Sequence, residues 1–432
     1  MQKMMVDFNK TVGNIKPMHA VGQPPFFGID FSMCDYLQQA HIPYSRLHDV
    51  GGPFGGGLYV DIPNVFRDFS ADESNPDNYD FAFTDLLITA LVERGIEPFF
   101  RLGVTIENYR KVKAYNIHPP KDYEKWARIC EGVIRHYTEG WANGFRYKIT
   151  YWEIWNEPDN YEDPEENQMW AGTAEQFYKL YEVASKYLKG KFPHLKIGGY
   201  ASCGFYALTE SRTDFGACSP RTQYFIDFFE GFLQHIKATD CPLDFFSWHS
   251  YSSIENNIIW AEYARRKLDE YGYTKTEHTL NEWNYQPNLK GTQTHAVLTC
   301  GMLLAMQNTT LDSAMFYDAR CHMSSYAGLF DCVTREPLPA YYGFLAFGEL
   351  YQRKTQVAVS GLPEGVYACA AKGQDGCLVV ANTNKEAVPL TLEWQGAADI
   401  AVCKIVKEGC VWEDYTFANE LPAEAFLYVQ WN

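Results

Sequence analysis

The sequence predicts an α/β protein: a (β/α)8 TIM barrel followed by a small C-terminal antiparallel β-sandwich domain. Three observations predict it. Eight short apolar runs alternate with segments of helical spacing between residues 26 and 350, the pattern of parallel strands joined by crossover helices. Near Gln356 the texture changes to brief alternating runs separated by Gly, Asn, Asp and Pro, as antiparallel strands require. A chain of 432 residues, 46% hydrophobic and 21% charged, has enough apolar mass for one large domain with an accessory. The expected division is an N-terminal segment over 1–25, a barrel over 26–352 and a β domain over 353–432, with 1–25 a candidate extra strand for the last.

The first strand is expected at Phe26 to Phe31, just past Pro24-Pro25, with a short helix near Asp35 to Ala40. The second, Ile42 to Asp49, runs into a glycine-rich stretch, Gly51 to Gly57. That stretch lacks the Lys-Ser/Thr and the spacing of a phosphate cradle, and reads as a loop lining a site. Tyr79 to Arg94 has helical spacing with Phe83, Leu86, Leu87, Ala90 and Leu91 on one face, and Gly95 caps it. Ile96 to Gly103 is the third strand, and Asp122 to Glu139 a helix. Ile149 to Trp155 is the fourth strand, stopped by Pro158. A helix over Ala174 to Gly190 leads to strand five, Leu195 to Ala201. A helix over Thr222 to Lys237 leads to strand six, Leu243 to Tyr251. Ile258 to Tyr271 is helical, and strand seven is His278 to Asn284. Thr294 to Thr309 is helical, strand eight is Ser313 to Asp318, and Pro339 to Leu350 is the last helix. In the accessory domain, strands are expected over Val366–Ala371, Cys377–Asn382, Val388–Glu393, Ala401–Val406 and Ala425–Gln430.

Composition narrows the function. A net charge of −17 argues against nucleic acid or an anionic membrane as partner, because both need basic patches. No apolar run is long enough to span a bilayer, and the N-terminus shows no signal-peptide core. The 12 cysteines are scattered without a Cys-x-x-Cys pair, which points to reduced thiols and a cytoplasmic protein. Aromatic residues reach 16%, a mild pointer to carbohydrate, whose rings stack on aromatic faces. No His/Cys/Asp cluster has a strong metal-ligand spacing, no Gly-x-Ser-x-Gly elbow is present, and two-carboxylate hydrolysis calls for no cofactor.

The chemistry is expected at two strand ends. Asn156-Glu157-Pro158 closes strand four and Asn281-Glu282 closes strand seven, each a carboxylate with an adjoining amide at the carboxyl end of an apolar run. Barrel enzymes place their reacting groups at that rim. Two carboxyls facing each other across a barrel mouth suit glycoside hydrolysis, one as acid and one as base or nucleophile. Glu153, inside strand four, needs a basic partner such as Arg46 or Arg101, because an unpaired buried charge is costly. It is the alternative acid.

Tyr151 to Asp159, Leu195-Lys196-Ile197-Gly198-Gly199, Phe245 to Tyr251 and Asn281-Glu282-Trp283-Asn284 together resemble glycoside hydrolase family 39 of clan A, the β-xylosidase and α-L-iduronidase family. The resemblance covers most of residues 26 to 350. It implies a barrel with a small β-sandwich and a retaining double displacement that releases a terminal sugar. It makes Glu157 the acid/base and Glu282 the nucleophile, and has Asn156 hold the sugar 2-hydroxyl. It places His249 and Tyr251 on the strand-six motif and Arg46 and His48 on the strand-two motif. Two stretches depart from the family. The strand-eight end lacks the tryptophan that lies under the sugar, leaving Tyr317 as the candidate there. The strand-three end, Arg101 to Glu107, is atypical, with Glu107 read as a loop charge. A β-xyloside is the expected substrate. A uronide, galactoside or arabinoside by the same mechanism, and a non-catalytic carbohydrate-binding barrel, are the alternatives. The oligomeric state stays open.

Overall fold

The structure, a computed structural model, describes residues 2–51, 60–106, 115–209, 219–321 and 323–432. The first strand, β1 (Gln2–Asn14), precedes the barrel. The barrel is closed by eight strands, each parallel to its neighbours in chain order: β2 (Ala20–Gly22), β3 (Tyr44–Leu47), β4 (Glu97–Leu102), β5 (Tyr151–Ile154), β6 (Lys196–Ser202), β7 (Phe245–Ser250), β8 (Glu277–Trp283) and β9 (Ser313–Phe316). The helices are α1 (Cys34–Gln39), α2 (Ile62–Val65), α3 (Ala82–Val92), α4 (Tyr123–Thr138), α5 (Ala174–Lys191), α6 (Pro220–Ala238), α7 (Ile254–Glu270), α8 (Gln293–Gln307) and α9 (Tyr341–Arg353). Local chemistry sets their starts. Asp122 caps α4, and Thr173 with Gln176 forms a reciprocal capping box on α5. None of the described helices is long and apolar enough to cross a membrane.

Two expectations are corrected. The first barrel strand is Ala20–Gly22, ahead of Pro24-Pro25, not Phe26 to Phe31. Phe27 and Asp30 form only an isolated bridge, with Gly28 at positive φ turning the chain between them. The buried face of α3 is Thr84, Leu87, Ile88, Ala90 and Leu91; the expected Leu87, Ala90 and Leu91 lie on it, but Phe83 and Leu86 lie exposed. The helix is apolar nearly all round, so its spacing did not single out the inner face.

Inside the barrel, side chains stack in layers because alternate strand residues face the axis. Ala20, Phe99, Phe245 and Met315, with Tyr44 and Tyr151 packed against them, form an apolar floor. Arg46, Arg101, Glu153, Ser247 and Asn281 follow one step nearer the carboxyl ends, and all are buried.

Beyond the barrel lie β10 (Thr355–Ser360), β11 (Val366–Lys372), β12 (Gly376–Asn382), β13 (Val388–Gln395), β14 (Ile400–Lys407), β15 (Cys410–Asp414), β16 (Glu420–Leu421) and β17 (Ala425–Trp431). With β1 they form one nine-stranded sheet, in the order β15-β14-β17-β12-β11-β10-β1-β13-β16. Its pairing is antiparallel except where β1 runs parallel to β13. The sheet curls until Trp394 of β13 meets Trp431 of β17 at 5.7 Å, and Phe8 of β1 packs on Trp431 at 5.2 Å. One sheet thereby encloses a core of its own, containing Val6, Leu378, Val380, Leu427 and Trp431. The opposite face, including Cys369, Ala371, Val379 and Phe426, joins the main core of the barrel. Gly301 of α8 permits that approach, since a Cβ there would meet Thr383 and Ile254 at 3.0 and 3.2 Å.

Trp431 is the largest member of the enclosed core. Trp431→Ala is expected to cost about 3–5 kcal/mol, as large-to-small changes of buried aromatics do. Chemical denaturation read by near-UV circular dichroism measures it, and a change below about 1 kcal/mol would mean the sheet does not depend on this core.

Candidate active site

The carboxyl end of the barrel opens into a cavity of about 500 Å³. Among the residues lining it are His48, Asp49, Glu157, Asn160, Arg221, Tyr251, Glu282, Tyr317, Arg320 and Tyr326. Arg46, Asn156 and His249 are buried behind that wall. Of the eight residues singled out from sequence, five thus reach the cavity and three support it. Past Gly51, the glycine-rich stretch lies outside the described residues, as does Glu107.

Two backbone irregularities bring the carboxylates inward. Successive strand residues normally point to opposite faces. In β8 the pairing to β7 slips, so that Leu280 faces Trp248 while Glu282 faces His249. The extra residue lets neighbours Asn281 and Glu282 both turn to the barrel axis, as bulges do. Asn281 then donates its amide to Glu153 Oε1 at 2.5 Å, and Glu282 reaches Arg46. After β5, Trp155 and Glu157 both take positive φ, 73° and 43°. A non-glycine residue there costs roughly 1–3 kcal/mol. The Trp155 indole pins the turn by donating to the Met169 carbonyl at 2.9 Å and packing against Trp170. Gly103 leaves room, since a Cβ on it would meet the Trp155 Cα at 3.1 Å. Asn156 and Glu157 therefore both project toward the site.

Arg46 ties these parts together. Its Nε donates to Glu153 Oε2 at 2.8 Å, Nη1 to Glu282 Oε2 at 3.1 Å and Nη2 to Asn156 Oδ1 at 2.6 Å. Glu153 also accepts from Ser247 Oγ at 2.6 Å and is fully buried, which makes it the counter-ion of Arg46 rather than a second acid. Arg101 is engaged elsewhere, with Asp61 at 2.6 Å.

The two site carboxyls differ in what holds them. Glu282 Oε1 accepts a 2.5 Å hydrogen bond from Tyr251 OH, and Oε2 receives the Arg46 guanidinium. Glu157 Oε1 lies 2.8 Å from His249 Nδ1, and Oε2 accepts from Asn160 Nδ2 at 3.1 Å. Burial pushes both carboxyls above the ordinary range. Only Glu282 has a guanidinium and a phenol attached to it, so the proton held between the pair rests on Glu157. Burial also lowers His249 to about 4, leaving it neutral at neutral pH. One carboxylate oxygen from each glutamate and a His249 nitrogen lie within 4.8 Å of one another.

Sequence reasoning missed Asn160, Arg221, Asp49 and Tyr326. Asp49 Oδ2 accepts from Tyr317 OH at 2.9 Å, and Oδ1 lies 3.1 Å from His48 Nε2. Tyr326 packs on both Tyr251 and Tyr317, at 5.0 and 5.5 Å. Asp49 directly follows His48 and was within reach of the strand-end argument. Tyr326 and Arg221 come from a loop and a helix start, where no periodicity marks them.

The family model of glycosyl hydrolases family 39 matches residues 2–288. A β-xylosidase of Geobacillus stearothermophilus is 28% identical over 245 residues, covering 54% of this chain and 43% of that protein. A β-xylosidase of Caldicellulosiruptor saccharolyticus is 28% identical over 256 residues, covering 54% and 46%. These matches span less than half the length of the curated relatives. Among solved structures, a glucosidase from Croceicoccus marinus superposes with a TM-score of 0.81 at 21% identity, covering 100% of this chain and 99% of that one. A family 39 β-xylosidase from Caulobacter crescentus superposes at 0.68 and 15% identity, with both chains fully covered. At those identities the likeness is one of fold: a barrel carrying a β domain. With the family model matching well over half its length, this chain belongs to glycosyl hydrolases family 39.

Proposed function

We propose that the protein is a retaining glycoside hydrolase that removes a terminal sugar from small oligosaccharides or glycosides, with a β-xyloside as substrate. The observation that carries this reading is the pair of glutamate oxygens within 4.8 Å across one cavity. Retaining enzymes set their carboxyls about 5–5.5 Å apart, and inverting ones about 6.5–9.5 Å to leave room for water. The xyloside assignment draws on the two related β-xylosidases.

In the first step a Glu282 carboxylate oxygen attacks the anomeric carbon. The bond to the leaving oxygen breaks as Glu157 passes it a proton. The second step returns both groups. Glu157, now ionised, takes a proton from water, the water oxygen bonds to the anomeric carbon, and the ester to Glu282 breaks. Tyr251 and Arg46 hold the nucleophile in one orientation, His48 and Tyr317 on the cavity wall meet the sugar, and Asn156 behind the wall steadies Arg46. A neutral sugar fits better than a uronide. That preference rests on the related β-xylosidases: Arg101 and Arg320 are bound to Asp61 and Asp318, but Arg221 on the cavity wall has no carboxylate partner among the described residues, so a uronide belongs in the test panel.

A panel of aryl glycosides, with the first-formed product anomer followed by NMR, tests the reading. The β-xyloside is expected to be cleaved with retention. Turnover of no sugar would leave a carbohydrate-binding barrel, and inversion would end the double displacement.

Glu282→Gly is expected to abolish hydrolysis and, with added azide and an activated aryl glycoside, to give the glycosyl azide of inverted anomer. Glu157→Ala is expected to lose about 10²–10⁴-fold on substrates with poor leaving groups, the usual worth of a general acid. Its loss should be much smaller on dinitrophenyl glycosides, which leave without a proton. The wild-type pH profile should be a bell. Activity is lost in acid as Glu282 protonates, and in base as Glu157 loses the proton it must donate. Glu157→Ala should erase the basic limb, and a basic limb that survives would assign the acid to another group.

A further inference from the structure

We propose that Arg221 is a positioning residue for the acid/base: it clamps Asn160 so that the amide nitrogen of Asn160, and not its oxygen, faces Glu157. The inference rests on the reading of Glu157 as acid/base. Four observations carry it.

Arg221 stands in the first turn of α6, after the Ser219 cap and Pro220. A helix start favours acidic side chains and disfavours cations, so the position costs helix stability. Its guanidinium instead folds away along the cavity wall, 4.2 Å over the Tyr161 ring and 5.4 Å from that of Phe225. Among the described residues no carboxylate pairs with it, whereas Arg320, the other arginine on the wall, is bound to Asp318.

Two of the Arg221 donors end on Asn160. Nε donates to the Asn160 carbonyl at 2.8 Å, and Nη2 to Oδ1 at 3.3 Å. A side-chain amide has nearly the same shape either way round, and only its hydrogen-bond partners decide which atom points where. Arg221 can meet only the oxygen, so Nδ2 is left to donate to Glu157 Oε2 at 3.1 Å. The flipped amide would set oxygen against oxygen. With His249 Nδ1 on Oε1, both oxygens of Glu157 are then fixed and the carboxyl cannot turn away from the leaving group.

The charge balance around Glu157 follows. Glu282 on β8 and Asp159 on its own loop are acidic. His249 on β7 and the Cys203 thiol beyond β6 are neutral. Arg46 on β3 and Arg221 on α6 are cationic. Burial pushes Glu157 up, and Arg221 is the foremost of the groups that offset it, followed by the Asn160 hydrogen bond. Removing either favours the protonated acid, so the basic limb of the rate profile moves to higher pH.

The test compares Arg221→Met, Arg221→Lys and Asn160→Ala with wild type, using kcat/KM against pH on aryl glycosides of good and poor leaving groups. Arg221→Met is expected to raise the basic limb by about half a unit to one unit, the scale of a nearby charge. It should also lose about tenfold more on poor leaving groups than on good ones. Arg221→Lys should keep the limb close to wild type and still lose on poor leaving groups. Because the clamp acts through Asn160, Arg221→Met in an Asn160→Ala background should add little to the leaving-group loss, while the loss of its charge should still raise the limb. An unmoved limb in Arg221→Met, or equal losses on both leaving groups, would overturn the proposal. Carbon-13 NMR of glutamate-labelled protein, with Glu157 assigned by its loss in Glu157→Gln, follows the same titration without turnover. Were wild type to cleave no glycoside, the enzymatic reading would fall. The NMR midpoint would still decide Arg221, supporting the clamp if it rises in Arg221→Met and overturning it if unchanged.

Discussion

One buried guanidinium organises the barrel mouth. Arg46 has no water to turn to, and its donors end on Glu153, Asn156 and Glu282. A cation so placed is tolerable only because Glu153, equally buried, neutralises it, with Ser247 and Asn281 meeting the carboxylate oxygen that Arg46 leaves. Removing one partner of such a pair typically costs about 3–5 kcal/mol, because the other charge is left stranded. The ion pair therefore fixes β3, β5, β7 and β8 relative to one another at the level just below the cavity. Glu282 takes its place from that layer through Arg46, and Glu157 from the turn after β5 with His249 and Asn160.

The barrel was legible because its strands are buried on both faces and read as uninterrupted apolar runs between helices. The exception is instructive. Ala20-Val21-Gly22 is too short and too small in side chain to register as a strand, while the aromatic Phe26-Phe27 beside it did. The sheet made that choice: Ala20 and Val21 pair with Met315 and Phe316 of β9, a partner almost three hundred residues away. The N-terminal segment was expected only as a candidate extra strand, and the bounds of β1 were not legible for the same reason. Its alternation of Met4, Val6 and Phe8 is clear once a core is present to receive it, but its neighbours, β10 and β13, come from the far end of the chain.

In the site, the legible part was the pair of strand-end carboxylates and the residues of the strand motifs. What sequence did not disclose was how two neighbours on one strand come to face the same way. Asn281 with Glu282, and Asn156 with Glu157, violate the two-residue period. The reasons are a slipped register and two left-handed residues, neither of which leaves a compositional mark. The Asn that adjoins each Glu is the visible trace. Asn156 and Asn281 both serve the Arg46–Glu153 layer, so the repeated Asn-Glu pair reflects one structural need met twice.

The two carboxyls are alike in type and burial, and the reaction proposed for them requires that they differ. Their neighbours supply the difference. Glu282 is held by donors that stay charged or strongly polar throughout, a guanidinium and a phenol, which suits a group that must begin as an anion. Glu157 is held by a neutral imidazole and a neutral amide, which accept either protonation state at little cost. A group that gives up a proton in one step and regains it in the next needs partners of that kind. A permanent cation in direct contact would trap it as carboxylate. Placing Arg221 one residue removed, behind Asn160, keeps its charge near enough to counter burial while leaving the proton free to come and go. The division of labour at this site is thus set less by the glutamates than by which neighbours can change their hydrogen bonding and which cannot.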